Sequence, residues 1–147
     1  MTDRYLNDQE CIDRLLNEWE KYGMIICAYD FDHTVFDYSK RGDVYENIIL
    51  LLRKLKRMGC HLVVFTSCDE TRYSEIQKYL NDNDIPFDSI NETPDFIPFK
   101  GRKIYYNALL DDRAGMSAMY KILIEVTEIV DINRHGEATK NKQDIDF

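Results

Sequence analysis

Four short apolar runs, at residues 24–30, 61–66, 86–90 and 104–110, are separated by longer segments whose apolar residues recur at helical spacing. The strand-like runs are near-continuous rather than alternating, as expected for strands covered on both faces. Strands that alternate with helices of ten or more residues imply βαβ units and a mainly parallel sheet. The expected fold class is therefore α/β, a three-layer Rossmann-like parallel sheet flanked by helices. A first helix is predicted from Asn7 or Asp8 to Tyr22, with Ile12, Leu15, Leu16 and Trp19 on one face. A second opens at Gly42 and Asp43, runs through Val44, Ile48, Leu51, Leu52 and Leu55, and stops at Gly59 behind Lys54, Lys56 and Arg57. A third covers 69–80, and a fourth covers 115–130 with Met119, Ile122, Leu123 and Val126 inward. One domain, 1–147, accounts for the chain: an N-terminal helix over 1–22, a core over 24–130, and a polar tail or weak edge element over 131–147 with no assigned function.

Composition narrows the class. A hydrophobic content of 44% with seven Phe, ten Tyr and one Trp indicates a globular protein. A formal charge of −8 speaks against broad affinity for nucleic acid, which usually accompanies a basic domain. Nucleic acid enters only as a substrate, since a local Mg²⁺ can reverse the sign inside a site. The four cysteines, Cys11, Cys27, Cys60 and Cys68, form no C-x-x-C pair and no zinc-like cluster. A reducing cytoplasm is the expected location. The first ten residues lack the apolar core of a signal peptide, and no stretch approaches membrane-spanning length.

Chemistry concentrates where the apolar runs end. The first is followed by Asp30-Phe31-Asp32-His33-Thr34, the second by Thr66 and Ser67, and the fourth by Asp111-Asp112, with Lys103 standing just before it. The C-terminal ends of parallel strands lie on one edge, where open α/β sheets bind ligands. Asp30, Asp32, Asp111 and Asp112 are thus predicted to converge. Carboxylates that close would raise one another's pKa values unless a cation sat among them. Oxygen ligands without His or Cys favour Mg²⁺.

The combination of D-x-D-x-T at Asp30–Thr34, a strand ending in Thr66, Lys103, and Asp111-Asp112 resembles the haloacid dehalogenase superfamily of phosphohydrolases over residues 24–115. The resemblance implies that Asp30 is the nucleophile that takes up the phosphoryl group and Asp32 the general acid and base. It implies that Thr66 and Lys103 hold the phosphoryl group, with Lys103 preferred to Lys100 and Arg102. Asp112, supported by Asp111, would bind Mg²⁺ with the Asp30 side chain and the Asp32 main-chain carbonyl. A carboxylate at Asp32 points to a phosphatase within that superfamily. Residues 33–65 and 67–102 are each used up by one helix and one strand, so no cap domain fits. A capless member takes a large phosphorylated substrate or closes its site by oligomerising. The stretch from Thr66 through Asn91-Glu92-Thr93-Pro94 to Asp111-Asp112-Arg113 is similar to small phage and bacterial hydrolases of this superfamily. Arg41-Gly42 and Asp111-Asp112-Arg113 bear a fainter similarity to polynucleotide 3′-phosphatases, which leaves a polynucleotide 3′-phosphatase or nucleotidase as the enzymatic alternative.

Plainer readings stand beside these. Asp43, Asp69 and Asp88 read as helix caps, and Asp37 as a loop residue rather than a fifth ligand. His33 replaces the Gly frequent at its slot in the superfamily and is read as pointing away from the site, with substrate contact as the alternative. Arg113 can either salt-bridge the acidic cluster or orient substrate. Cys68 is read as a spectator thiol, and Tyr38, Tyr105 and Tyr106 as candidates for stacking on a base. The first helix is expected to pack on the body, with a lid as the alternative. Outside enzymes, a phosphoacceptor receiver domain or a non-catalytic phosphate-binding module also places acidic residues, a hydroxyl and a Lys at strand ends. In receivers the acidic pair comes first and the Lys last, unlike here.

Overall fold

The computed structural model describes residues 3–145, with side chains over 3–136. A 3-10 turn at Arg4–Leu6 leads into α1 (Asp8–Tyr22), whose first turn is capped by the Asn7 side chain accepting from the amides of Gln9 (2.9 Å) and Glu10 (3.3 Å). Gly23, at φ 77°, ends it in the left-handed conformation that glycine adopts without strain. Then follow β1 (Ile26–Tyr29), α2 (Glu46–Arg57), β2 (His61–Val64), a 3-10 turn at Glu70–Arg72, α3 (Tyr73–Asp82), β3 (Ser89–Ile90), β4 (Ala108–Leu110) and α4 (Met116–Ile145). The sheet order is β3-β2-β1-β4 and every pairing is parallel, Cys27 lying opposite Leu62 on one side and Ala108 on the other.

The strands are shorter than their apolar runs because side chains beyond the ladder are also buried. Their alternation divides the core. Cys27, Tyr29, Leu62, Val64 and Leu110 face one way and pack with Leu15 and Trp19 of α1, Leu52 and Leu55 of α2, Ile76 and Leu80 of α3, and Leu123 and Val126 of α4. Ile26, Ala28 and Val63 face the other way, against Ile97, Ile104, Tyr105, Tyr106 and Leu109. The three layers are thus helices, sheet, and a covering built largely from the irregular chain between β3 and β4. This fold is α/β and Rossmann-like. Among the described residues, each connection between neighbouring strands carries at most one α-helix.

Several expected boundaries move. Helix α2 begins at Glu46 rather than at Gly42, because the Asp37 carboxylate binds the amides of Arg41 (3.1 Å) and Gly42 (2.8 Å) and holds that stretch as a loop. Val44 is accordingly exposed at 88% rather than on an apolar helix face. Among the described residues Asp43 makes no cap of α2, and Asp88 instead accepts the Leu62 amide (2.8 Å) while pairing with Lys56. Asp69 does cap, accepting from Thr71 N at 2.7 Å. Residues 131–145, expected as a tail or edge element, continue α4 as helix; Asp146 and Phe147 lie outside the described residues. Helix α1 packs along α4 and contributes no residue to the sheet-edge cleft described below, so it serves as part of the body rather than as a lid. No helix among the described residues is long and apolar enough to cross a membrane.

Candidate active site

The C-terminal ends of β1, β2 and β4 form one edge. The Asp30 amide donates to Leu110 O (2.9 Å), carrying the β1–β4 pairing one residue past the strands and setting Asp30 beside Asp111. The chain then tightens: the amides of Thr34, Val35 and Phe36 all donate to Phe31 O, and His33 N donates to Phe36 O (2.8 Å). This turn brings Asp32 back over the strand end and buries Thr34 completely, with its hydroxyl donating to Asp30 Oδ2 at 3.4 Å. Asp30, Asp32, His33, Phe65, Thr66, Ser67 and Asp111–Arg113 line a cleft of about 330 Å³. Four of the aspartates expected to converge, Asp30, Asp32, Asp111 and Asp112, do so, and Thr66 joins them.

Thr66 is held from behind. Asn91, at the end of β3 with φ 53°, accepts the Thr66 amide through Oδ1 (2.9 Å), while its Nδ2 donates to Thr66 O (2.7 Å) and to the Tyr73 hydroxyl (2.8 Å). The Thr66 hydroxyl accepts the Cys68 amide at 3.1 Å. Asn91 holds Thr66 in place, a role that periodicity could not find; the sequence signals were its place in the Asn91-Glu92-Thr93-Pro94 stretch of the resemblance and an Asn directly after an apolar run, where left-handed backbone is tolerated. Asp111 Oδ1 accepts the Arg113 amide (2.8 Å), so this carboxylate also shapes the turn into α4. Asp37 stays in its loop, as expected of it.

Lys103 is not brought into the cleft lining. With β4 confined to Ala108–Leu110, residues 104–106 belong to the covering layer, and the Lys103 ammonium rests 5.9 Å from the centre of the Tyr106 ring. A cation over an aromatic face is favourable, which gives the side chain a reason to stay there. Tyr106 in turn lies 6.2 Å from Phe65 of the cleft wall. Lys100 pairs with Asp95 instead.

His33 does line the cleft, against the expectation that it points away. Its Nε2 lies 3.1 Å from the Ser39 hydroxyl and its ring meets Tyr38 edge to face at 6.0 Å. Its backbone sits at φ 60°, a conformation that costs a non-glycine residue about 1 kcal/mol or more. We expect His33→Gly to be stabilising by roughly 0.5 kcal/mol in denaturant titration, after allowing for the looser unfolded chain. A loss above about 1 kcal/mol would mean that the Ser39 and Tyr38 contacts outweigh the backbone strain.

Electrostatics favour a cation. One carboxylate oxygen from each of Asp30, Asp111 and Asp112 lies within 4.8 Å of the others. A solvated acidic trio needs no ion, and Asp112 is exposed, but Asp30 is half-buried. Burial first, then a hydrogen bond with Asp112 and the charges of Asp111 and Asp112, push the Asp30 carboxyl up to about 7. Asp32 Oδ1 is buried with no hydrogen-bond partner among the described residues, while Oδ2 lies 4.0 Å from Cys68 Sγ. An all-oxygen donor set, an orphaned carboxylate oxygen and a carboxyl pushed up by burial and crowded negative charge, which a cation would relieve, fit a hard divalent ion.

No family model and no curated protein matches the chain. Among solved structures the chain is similar to a conserved protein from Bacteroides thetaiotaomicron, at 20% identity over 69% of this chain and 91% of that one, with a TM-score of 0.57. That likeness speaks to the α/β fold alone.

Proposed function

We propose that the chain is a Mg²⁺-dependent phosphohydrolase of haloacid dehalogenase type that cleaves a phosphomonoester through an aspartyl phosphate on Asp30. The observation that carries this reading is the meeting of Asp30, Asp32, Asp111 and Asp112 with Thr66 at one sheet edge, with Asp32 Oδ1 left unpaired beside the nucleophile. Asp30, Asp111 and Asp112, with the Asp32 carbonyl, would hold Mg²⁺, which when bound neutralises carboxylate and phosphoryl charge. The Asp30 carboxylate attacks phosphorus as the bond to the leaving oxygen breaks, and Asp32 gives that oxygen its proton. Water then attacks the same phosphorus; Asp32 takes the water proton, phosphate departs, and Asp30 is regenerated. Thr34 orients the Asp30 carboxylate through its hydroxyl, and Thr66, fixed by Asn91, offers a hydroxyl to the phosphoryl oxygens. Lys103, which rests against the Tyr106 ring and does not line the cleft, is left without a part in these steps. Four free thiols suit a reducing cytoplasm.

Phosphate release from a panel of sugar phosphates, nucleotides and 3′-phosphorylated DNA, with and without Mg²⁺, tests the proposal. Asp32→Asn is expected to lower turnover by roughly 10²- to 10⁴-fold, as loss of a general acid and base does, with the larger loss on esters of poor leaving groups. No metal-dependent release from any member, or an Asp32→Asn variant with full activity on such esters, would sink it.

A further inference from the structure

His33 stands where glycine would be free of strain. The turn that brings Asp32 back over the strand end sets position 33 at φ 60°, and the His33 amide donates to Phe36 O (2.8 Å) within it. Glycine reaches that backbone without penalty, whereas a side chain there gives up stability. Strain of this kind persists where the surroundings impose it, and it gathers at ligand sites. The turn itself has no use for an imidazole, because backbone groups make the hydrogen bonds that close it.

The ring is held at the cleft wall. It lines the cleft together with Asp30, Asp32 and Thr66. The Ser39 hydroxyl lies 3.1 Å from Nε2, and the Tyr38 ring meets the imidazole edge to face at 6.0 Å. Nδ1 has no hydrogen-bond partner among the described residues. The hydrogen bond at one ring nitrogen decides which nitrogen carries the hydrogen. When Ser39 gives its hydrogen to Nε2, the neutral ring carries its own on Nδ1 and offers a donor. The cleft has a use for one. Phosphoryl oxygens only accept, Asp30, Asp32, Asp111 and Asp112 repel them, and Lys103 is not among the lining residues. The cleft encloses about 330 Å³, so a phosphoryl group at Asp30 shares a small space with the His33 ring.

Resting on the phosphohydrolase reading for the nature of the anion, we propose that His33 is a substrate-binding residue. With Nε2 tied to Ser39, its Nδ1–H donates to an oxygen of the phosphoryl group seated at Asp30. The contact is made in the bound substrate and again in the product phosphate, so it acts on KM more than on kcat. Strain at position 33 is then the cost of keeping a donor where the turn alone would be served by glycine.

The test uses side chains that place an amide nitrogen near one ring position or the other. The Asn amide comes nearest to Nδ1 and the Gln amide nearest to Nε2, and Asn tolerates the left-handed backbone. With Mg²⁺ present, inorganic phosphate is titrated into isotope-labelled wild-type protein, and the His33 ring-nitrogen signals, assigned by their loss in His33→Asn, are followed. They are expected to shift to saturation. Affinity for phosphate should fall roughly tenfold or more in His33→Gly and His33→Gln, as loss of a hydrogen bond to a charged group does. His33→Asn should bring it back to within about threefold of wild type. With p-nitrophenyl phosphate the same order should appear in KM, with kcat changed less. A ring that served structure alone would give another pattern: affinity would follow Tm, measured on the same preparations, and His33→Gly would bind as well as wild type. That pattern, His33 signals that do not shift, or a His33→Asn variant no better than His33→Gln overturns the assignment, and the signals decide it in wild type even where a variant folds poorly. Shifts at His33 with no ester hydrolysed leave the contact standing and count against the enzyme alone. Turnover of p-nitrophenyl phosphate with a KM unchanged in His33→Gly removes the contact and leaves the phosphatase standing.

Discussion

Asp30→Asn is expected to abolish turnover and, without metal, to make the protein more stable. If Asp30 is the nucleophile as proposed, its loss should cost on the order of 10³-fold or more in kcat. The stability gain follows from the carboxyl pushed up from 3.8 to about 7. A carboxyl whose folded-state pKa exceeds its unfolded value binds its proton more tightly in the folded protein. Its contribution is full below the unfolded value near 3.8 and is lost as pH rises through about 7. The shift would correspond to about 4 kcal/mol at 1.36 kcal/mol per unit, but solvent reaches this half-buried group, so roughly 1–2 kcal/mol is the realistic penalty at pH 8. Metal-free Asp30→Asn should therefore melt about 3–6 °C above wild type at pH 8 and lose the wild-type decline between pH 4 and 7. Millimolar Mg²⁺ should raise the Tm of wild type and leave the variant almost unmoved, because binding to the folded state stabilises it by mass action. A variant that melts below wild type, or that keeps its activity, would remove Asp30 from the centre of the site. A carboxylate strained by its neighbours is the expected signature of a site that gives up stability for function.

The parts of this arrangement that the sequence made legible are those set by periodicity. Asp30 and Asp111 stand far apart in the chain, yet both follow runs too apolar to be anything but interior strands, and parallel pairing puts them on one edge. The parts that stayed hidden depend on tertiary choices. Lys103 was expected at the site from the family resemblance, and was preferred to Lys100 and Arg102 because it abuts a strand read over 104–110; pairing with β1 uses only Ala108–Leu110, and Ile104, Tyr105 and Tyr106 turn to cover the far face of the sheet. That layer carries no helical period, since irregular chain supplies its apolar side chains. Val44 fitted the helical spacing, but Asp37 binds backbone amides just before it and delays the helix. The 131–145 stretch is polar, with no apolar face to betray a helix that continues from a well-packed one. His33 and Asn91 both sit at positive φ, and nothing in a hydrophobic pattern reports backbone handedness.

Asn107→Ala is expected to destabilise the protein by about 2–3 kcal/mol, lowering Tm by roughly 6–9 °C. Asn107 is buried just before β4 and makes the connection that a longer strand would have made. Its amide donates to Ile26 O (2.8 Å), and its side-chain Oδ1 accepts the Ile26 amide (2.7 Å), so one residue satisfies both backbone groups at the start of β1. Its Nδ2 donates to Glu18 Oε2 (3.1 Å) and its carbonyl accepts from Arg14 (3.0 Å), and Arg14 closes the ring on Glu18 (2.8 Å). The side chain thus ties α1 to the sheet. Alanine would leave the Ile26 amide buried without an acceptor, and an unmade bond of that kind costs more than a made one gains. Asn107→Asp keeps the acceptor for Ile26 while losing the donor to Glu18, so its loss should be smaller than that of alanine, and smaller still at acidic pH, where repulsion from Glu18 fades. Because this network lies at the end of the strands opposite the cleft, kcat of the folded variant should stay close to wild type while Tm falls. Denaturant unfolding and turnover measured on the same preparations separate the two. A cost under about 0.5 kcal/mol would show that water or a backbone shift replaces the Asn107 acceptor, and a selective loss of kcat would show that the catalytic edge depends on how β1 begins.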